Sequence, residues 1–290
     1  MLIEKQYEVI VFSHQNKEGK TAEGATIKKW NIDKGEIDKN AIAQADYLIH
    51  LAGANVADKR WTEERKQEIL DSRTKSSALL IKAMRETPNQ IKAVISASAI
   101  GWYGEDNAKS RSEGFGEDAP SSNDFLGYTT RLWEESMAPA SALGKRLVIL
   151  RTGIVLSTEG GALAEFIKPL KLGVAAALGR GSQVVSWIHI DDICRLYLYA
   201  IENDHLSGVY NAVAPSPVTN KELVTELANE MNGNKFLSLS VPSFVLKLML
   251  GEMSIEVLKS ATISSKKIEQ TGFAFLYPDI KSALHNLIKK

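Results

Sequence analysis

One cysteine, Cys194, is all that the 290 residues contain. A lone thiol closes no internal disulfide and builds no cysteine-based zinc site. It follows His189-Ile-Asp-Asp-Ile and precedes Arg-Leu-Tyr-Leu, a setting that predicts a packed helix and a buried, inert thiol. The five histidines are scattered without metal-ligand spacing, so no metal is expected. Net charge is lacking too, because 35 basic and 35 acidic side chains cancel. With no net field and no local Lys/Arg block, neither nucleic acid nor a membrane surface is an expected partner. No apolar run approaches the roughly 20 residues of a membrane span. The stretch Met1-Leu-Ile-Glu-Lys-Gln-Tyr7 has no signal-peptide apolar core. A cytoplasmic protein is expected.

What is present can form a core. Hydrophobic residues make up 44% of the chain and charged ones 24%, enough apolar material for one large domain or two modest ones. The first half alternates short apolar runs with helical stretches, the pattern of βαβ units around a parallel sheet. Residues 8–13 read as a strand, since β-branched and aromatic residues dominate and turn residues follow. Residues 25–30, 47–52, 93–98 and 146–151 are further strands. Residues 62–86 read as a long helix with Ile69, Ser76, Leu79, Leu80 and Ala83 inward, and 125–143 as another. After Arg151, Gly160, Gly161, Gly173, Gly179 and Gly181 mark loops around one helix at 163–172. Residues 186–190 are strand-like, 191–203 helical and 208–212 a strand. Thr219 is placed to cap a helix over 221–232, with Glu222 completing a capping box. A last segment, 241–290, holds apolar helical stretches.

A nucleotide-binding Rossmann sheet opens with strand, glycine-rich turn and helix, and the turn's N–H groups receive a pyrophosphate. Here residues 9–12 are followed by Ser13-His-Gln-Asn-Lys-Glu-Gly-Lys20, which holds one glycine and leads to another strand. The run therefore reads as the second strand, with the glycine loop falling before residue 1. Residues 1–6 have the composition of a helix's last turn. The alternative, that 9–12 is the true first strand, leaves that turn unexplained. A missing first strand would leave a gap in the sheet and unpaired backbone groups on its neighbours.

Several segments together carry a resemblance. They are Tyr47-Leu-Ile-His-Leu-Ala-Gly-Ala-Asn55, Arg60-Trp61, Ser72-Arg-Thr74, Ile95-Ser-Ala-Ser-Ala-Ile-Gly-Trp-Tyr-Gly104 and Leu150-Arg-Thr-Gly-Ile-Val-Leu156. Further on come Ser186-Trp-Ile-His-Ile-Asp-Asp192, Val209-Tyr-Asn-Ala-Val-Ala-Pro215 and Leu250-Gly-Glu-Met253. In order and spacing the chain resembles the extended and atypical short-chain dehydrogenase/reductases, of the NAD-dependent epimerase/dehydratase type. More narrowly it resembles an "epimerase family" subgroup with a C-terminal domain of unknown function. The resemblance covers essentially the whole chain. It implies an α/β fold, a Rossmann-type doubly wound parallel sheet whose first strand is missing here, over residues 1–152 and about 189–212. A smaller α/β substrate lobe would come from 153–188 and 213–290.

The resemblance also implies roles. A dinucleotide would lie against Leu51, Ala52 and Gly53, against Ser96 and Ala97, and against Arg151, Thr152, Gly153 and Ile154. Gly53 either permits close backbone approach or is a turn glycine. Ser13, His14 and Lys17 fall near the adenosine ribose. With no Asp or Glu at that strand end and Lys17 close by, NADP is preferred to NAD. Relatives orient the substrate oxygen with a Ser or Thr and move the proton with a Tyr four residues before a Lys. Ser98 matches the serine. The pair is absent, since Leu126 or Gly127 falls at the tyrosine and Thr130 or Arg131 at the lysine. Tyr103 is another candidate acid, against a role in shaping its loop.

Asn55, Arg60, Trp61, Trp102, Tyr103, Arg111, Trp187 and His189 are candidates for the substrate pocket between the two parts. For Trp61 and Trp102, stacking on a ligand competes with packing under a loop. For His189 the favoured alternative is a packed histidine beside an N-cap aspartate. The expected function is an NADP-dependent oxidoreductase or nucleotide-sugar epimerase-like protein with an unidentified small-molecule substrate. The rival is a non-catalytic nucleotide-binding regulator or interaction protein with a link to cell division. Homodimers are common among relatives, and nothing in the sequence decides for or against one.

Overall fold

The computed structural model of the chain describes residues 1–14, 18–233 and 235–289. Its larger parallel-stranded part is built on β1 (Ile10–Ser13), β2 (Thr26–Asn31), β3 (Tyr47–His50), β4 (Ala93–Ala99), β5 (Arg146–Thr152) and β6 (Gly208–Ala212). These strands form two parallel sheets. β1 pairs with β2, Ile10 opposite Thr26 and Ser13 opposite Lys29. The short strands Gly19–Lys20 and Glu36–Ile37 join β2 antiparallel. The second sheet runs β6-β5-β4-β3 and is parallel throughout.

β1 and β3 each end their sheet, yet they share the same two cores. Phe12 packs into the cluster that holds Trp30, Leu48 and Leu79. Leu2 and Tyr7, just before β1, pack with Tyr47 and Ile49 into the cluster of Ile193 and Leu196. β1 and β3 thus belong to separate sheets that share these cores. Ile10 and Val11 stay 37% and 41% exposed, and Leu51, just past β3, 62%.

Strand alternation decides which side chain enters which core. Val94, Leu147 and Ile149 face the layer of the helix α1 (Glu63–Glu86), while Ala93, Ile95, Val148 and Leu150 face the opposite layer. Helix α1 starts where Thr62 Oγ1 accepts the Arg65 N–H at 3.1 Å, with Glu63 and Glu64 favourably placed at the positive end. It stops at Thr87 because the following Pro88 pushes that residue into extended backbone, φ −116° and ψ 123°. Ile69, Ser76, Leu79, Leu80 and Ala83 are buried, as the spacing predicts. Each buried Leu or Ile contributes about 1.5–3 kcal/mol, enough to hold the helix against the sheet.

The helix expected over 125–143 is broken. Helix α2 (Phe125–Met137) ends at Ala138, and Pro139–Ala142 forms a separate turn of helix. Pro139 has no N–H and its ring crowds the preceding turn, so it suits the start of a helix and not its middle. On helix α3 (Ile190–Glu202), Ile193, Leu196, Ala200 and Ile201 take the inward positions. Cys194 falls off that stripe and is solvent-exposed, which corrects the expectation of a buried thiol.

The rest of the chain packs around Leu156, Leu163, Trp187, Leu223 and Leu284. Ile154–Leu156 pairs with Trp187–His189, and Val174–Leu178 with Leu237–Val241, both parallel. The capping box is formed: Thr219 Oγ1 accepts the Glu222 N–H at 3.2 Å, and Glu222 Oε2 accepts the Thr219 N–H at 2.7 Å. The C-terminal segment is not confined to this lobe, because Ile268 and Phe273 enter the core beneath α3. Among the described residues, no helix is long and apolar enough to cross a membrane.

Candidate functional site

In open α/β sheets ligands gather at the carboxyl ends of the strands. At the end of β3 the chain passes from His50 through Leu51 and Ala52 to Gly53. His50 is 1% exposed. Its Nδ1 receives the Trp133 Nε1–H at 3.5 Å, which assigns the proton to Nε2, facing Ser76 Oγ at 2.9 Å. Burial, with the Arg73 charge nearby as the lesser cause, pushes this imidazole down to about 4.

Arg73 lies directly beside Gly53. A Cβ at residue 53 would come 3.0 Å from the Arg73 Cζ, so here the glycine makes room for a guanidinium. Arg73 Nη1 donates to the carbonyls of Ala54 and Ile69 at 3.0 and 2.9 Å, and its head lies 4.9 Å from the Trp133 ring centre. Among the described residues no carboxylate pairs with it, and burial lowers it to about 10. His50 and Arg73 lie inside the matched segments, where no motif gives either a role. The signal was there, a charged residue on an otherwise buried helix face.

At the ends of β4 and β5 the side chains close into one network. Ser98 Oγ donates to Glu134 Oε1 at 2.6 Å. Arg151 grips both oxygens of the same carboxylate, Nε to Oε1 at 2.8 Å and Nη2 to Oε2 at 2.9 Å. Its Nη1 donates to Tyr103 OH at 3.0 Å, and Tyr103 donates onward to Asn211 Oδ1 at 2.6 Å. The guanidinium lies 3.7 Å from the Trp102 ring centre. Burial pushes the Tyr103 hydroxyl up to about 12, against the pull of Arg151. Ser98, Trp102, Tyr103 and Arg151 are therefore brought together, with Glu134, which no sequence motif marks, at the centre.

At Gly127 helix α2 has no room for a side chain. A Cβ on Gly127 would lie 2.7 Å from the Ser122 carbonyl carbon and closer still to its oxygen. Leu126 abuts Gly101, whose Cβ would come 3.0 Å from the Leu126 Cβ. Thr130 Oγ1 bonds back to the Leu126 carbonyl at 2.7 Å, and Arg131 pairs with Glu135 at 3.0 Å. Gly127→Ala is expected to destabilise the protein by about 1–3 kcal/mol, since backbone must move. Chemical denaturation measures it, and a loss no larger than that of an exposed helix Gly→Ala change would contradict the close approach.

The other expected residues are spread out. Ser13 ends β1 opposite Lys29, and the exposed His14 leans on Trp30 at 5.6 Å; Lys17 lies outside the described residues. Ser96 is buried, and Ala97 and Thr152 are half-buried at the sheet's edge. A Cβ on Gly153 would meet the Ser186 carbonyl oxygen at 2.7 Å. Ile154 passes into the lobe sheet. Asn55 Oδ1 caps the Ala57 N–H at 3.0 Å, and Arg60 lies against Gly251. Trp61 packs edge-on to Phe125 at 4.9 Å and donates to the Val56 carbonyl. Trp187, fully buried, donates to the Ser216 carbonyl inside the lobe core. His189 is packed, stacked on Tyr277 at 3.9 Å. The N-cap of α3 is His189 itself, its Nδ1 accepting the Asp191 N–H at 3.0 Å, and not an aspartate. Asp192 instead accepts the Leu276 and Tyr277 N–H groups at 2.8 and 2.9 Å. A separate cavity of about 550 Å³ lies between the loop after β4 and the C-terminal segment, and Arg111 is the one expected residue that lines it.

The chain as a whole has known counterparts. Residues 1–212 match the model of the NAD dependent epimerase/dehydratase family, and residues 241–287 match a domain of unknown function. The Epimerase family protein YfhF of Bacillus subtilis is 37% identical over 266 residues, covering 91% of this chain and 84% of that protein. The mouse Epimerase family protein SDR39U1 is 32% identical, covering 89% of this chain and 87% of its own. The crystal structure of human SDR39U1 (isoform 2), solved with NADPH, superposes with a TM-score of 0.86 at 27% identity, covering 99% of this chain and 93% of that one. The chain belongs to the NAD dependent epimerase/dehydratase family.

Proposed function

We propose that the chain binds NADP(H) along the carboxyl ends of β3, β4 and β5 and acts as an oxidoreductase or epimerase on a small carbonyl or sugar-like substrate. The observation that carries the cofactor reading is Arg73, a half-buried cation without a carboxylate partner at the sheet edge where an anionic dinucleotide would pass. The NADPH in the human structure supports it. Leu51 stands exposed on the same edge, an apolar surface for a ring to cover. The absence of Asp or Glu at Ser13-His14 leaves a 2′-phosphate unopposed, which favours NADP over NAD. A nicotinamide bound there would supply or accept a hydride.

Ser98 is the residue assigned to the substrate oxygen. Its hydroxyl proton points to Glu134, so in this arrangement Ser98 accepts at the substrate side, and donation requires that contact to open. Arg151, always charged, holds Glu134 and moves no proton. The test is a fluorescence titration with NADPH and NADH. NADPH is expected to bind more tightly, and Arg73→Gln to weaken it by about tenfold, the loss of one charge-assisted contact. Ser98→Ala is expected to leave that affinity unchanged while abolishing turnover in a carbonyl and sugar-nucleotide panel. Absence of binding by either nucleotide, or an Arg73→Gln variant that binds as well as the parent, overturns the reading.

A further inference from the structure

The helix Ser243–Leu250 wears its apolar side chains outward. Its sequence, Ser-Phe-Val-Leu-Lys-Leu-Met-Leu, is hydrophobic nearly all round, a composition that belongs to a helix enclosed on every side. Yet Leu246 is its only buried residue. Phe244 and Leu248, one turn apart on a shared face, are 72% and 75% exposed, and Met249 is 67% exposed. The strand just before it, Leu237–Val241, repeats the pattern. Among the described residues its one ladder partner is Val174–Leu178, so its other edge is open, and Leu237 and Leu239 stand in solvent. Open edges are ordinarily guarded by charged side chains. Residues 236–250 hold a single charge, Lys247.

This exposed stretch is tied down. The Val241 carbonyl accepts the Gly179 N–H at 2.9 Å and fixes the end of the strand. The helix stops at Gly251, whose φ of +63° suits glycine and whose N–H donates to the Lys247 carbonyl. Ser254 Oγ donates to the Gly251 carbonyl at 2.6 Å, and Glu252 pairs with Lys66 of α1 at 2.6 Å. These contacts fasten the segment to the body of the protein and leave its large apolar side chains uncovered. A face already held in place loses little conformational entropy when something covers it.

We propose that a second copy of this chain docks here, the helix Ser243–Leu250 and the neighbouring strand edge of each copy meeting across a twofold axis. The area is sufficient. At about 150–200 Å² for a fully exposed large apolar side chain, Leu237, Leu239, Phe244, Leu248, Met249 and Ile255 together offer roughly 600–700 Å². The largest apolar patch on a typical monomer is about 300–600 Å², whereas each side of a standard interface gives about 800 Å². Chemistry selects the occupant. With one cation, the face has no charge pattern to match against an acidic or basic partner. It also lacks the Lys/Arg-rich flank that holds an amphipathic helix to an anionic membrane. An apolar face is complementary to itself, as a twofold contact requires, and Phe244 and Leu248 are its central anchors.

Sedimentation equilibrium of the full chain is the test. The parent is expected to be dimeric at about 10 µM. Phe244→Glu combined with Leu248→Glu should raise the dimer dissociation constant by about a hundredfold or more, since it places unpaired carboxylates in an apolar contact. Far-UV circular dichroism of variant and parent should coincide, because neither side chain enters the core. Tyr128→Glu, at an exposed aromatic on helix α2, is the control and should leave the dimer intact. A dimer that survives the double variant, or one lost on Tyr128→Glu alone, overturns the proposal by placing the interface elsewhere. A parent that stays monomeric at about 100 µM overturns it as well. If that monomer sediments with phosphatidylcholine–phosphatidylglycerol vesicles, the face belongs to a membrane and not to a second copy. No cofactor enters the measurement, so its outcome is independent of the function proposed above.

Discussion

Glu134→Ala is expected to destabilise the protein by about 3–5 kcal/mol, the cost of leaving one member of a buried ion pair without the other. The pair is enclosed: the Arg151 and Glu134 side chains are 3% and 9% exposed. Removing the carboxylate strands the guanidinium between Trp102 and Tyr103 with only neutral oxygens, Tyr103 OH and the Glu117 carbonyl, to bond. Arg151→Ala is expected to cost a similar amount, since Glu134 then keeps only the Ser98 hydroxyl and Trp102 loses the plane beneath its ring. The informative variant is the double one. Glu134→Leu with Arg151→Met removes both charges and roughly keeps the volume, so it should cost less than either single change, leaving a coupling of about 2 kcal/mol or more. Urea denaturation of the parent, Glu134→Leu, Arg151→Met and the double variant completes the cycle. Simple additivity of the two single losses would show that the pair does not act as a unit.

Acid should weaken the protein through His50. The imidazole titrates at about 4 in the folded chain, against an ordinary 6.5, because burial opposes its charged form. The unfolded chain therefore binds a proton at His50 between those two values while the folded chain does not, so stability rises with pH across that window. The contribution is fully present above about pH 6.5, declines as the pH falls, and is gone near pH 4, a span of about 3 kcal/mol. Carboxylates also titrate toward the lower end, and the control is His50→Gln. That variant should be less stable near pH 7, where it disturbs the contacts to Ser76 and Trp133, but its stability should fall less steeply as acid is added. Paired urea curves near pH 7 and pH 4.5 measure the difference. Equal slopes in parent and variant would mean that His50 does not carry the acid response.

Both predictions concern residues that the sequence displayed without explaining. His50 stood in a buried apolar strand, where a polar ring needs partners, but its partners come from residues 76, 96 and 133. Glu134 looked like one of two acids on a helix. Only packing shows that Glu134 turns inward to Arg151 while Glu135 turns outward to Arg131. The helix α2 break and the exposure of Cys194 were legible in part. Pro139 announced the first, whereas the second depended on which stripe of α3 the sheet would cover.

What the sequence by itself determined was local and periodic. Strands of alternating apolar residues, the Thr62 and Thr219 caps, the stop at Pro88 and the order of matched segments are set by neighbours a few residues apart. They were enough to specify a parallel α/β sheet and its family, and to show that the Tyr-Lys pair is absent. Tertiary structure alone decided the closed network from Ser98 to Asn211 and the Arg73 guanidinium beneath Gly53. Each of these joins residues that lie tens of positions apart in the chain. No periodicity encodes such meetings, because charge satisfaction and close packing are properties of the assembled core and not of any single segment.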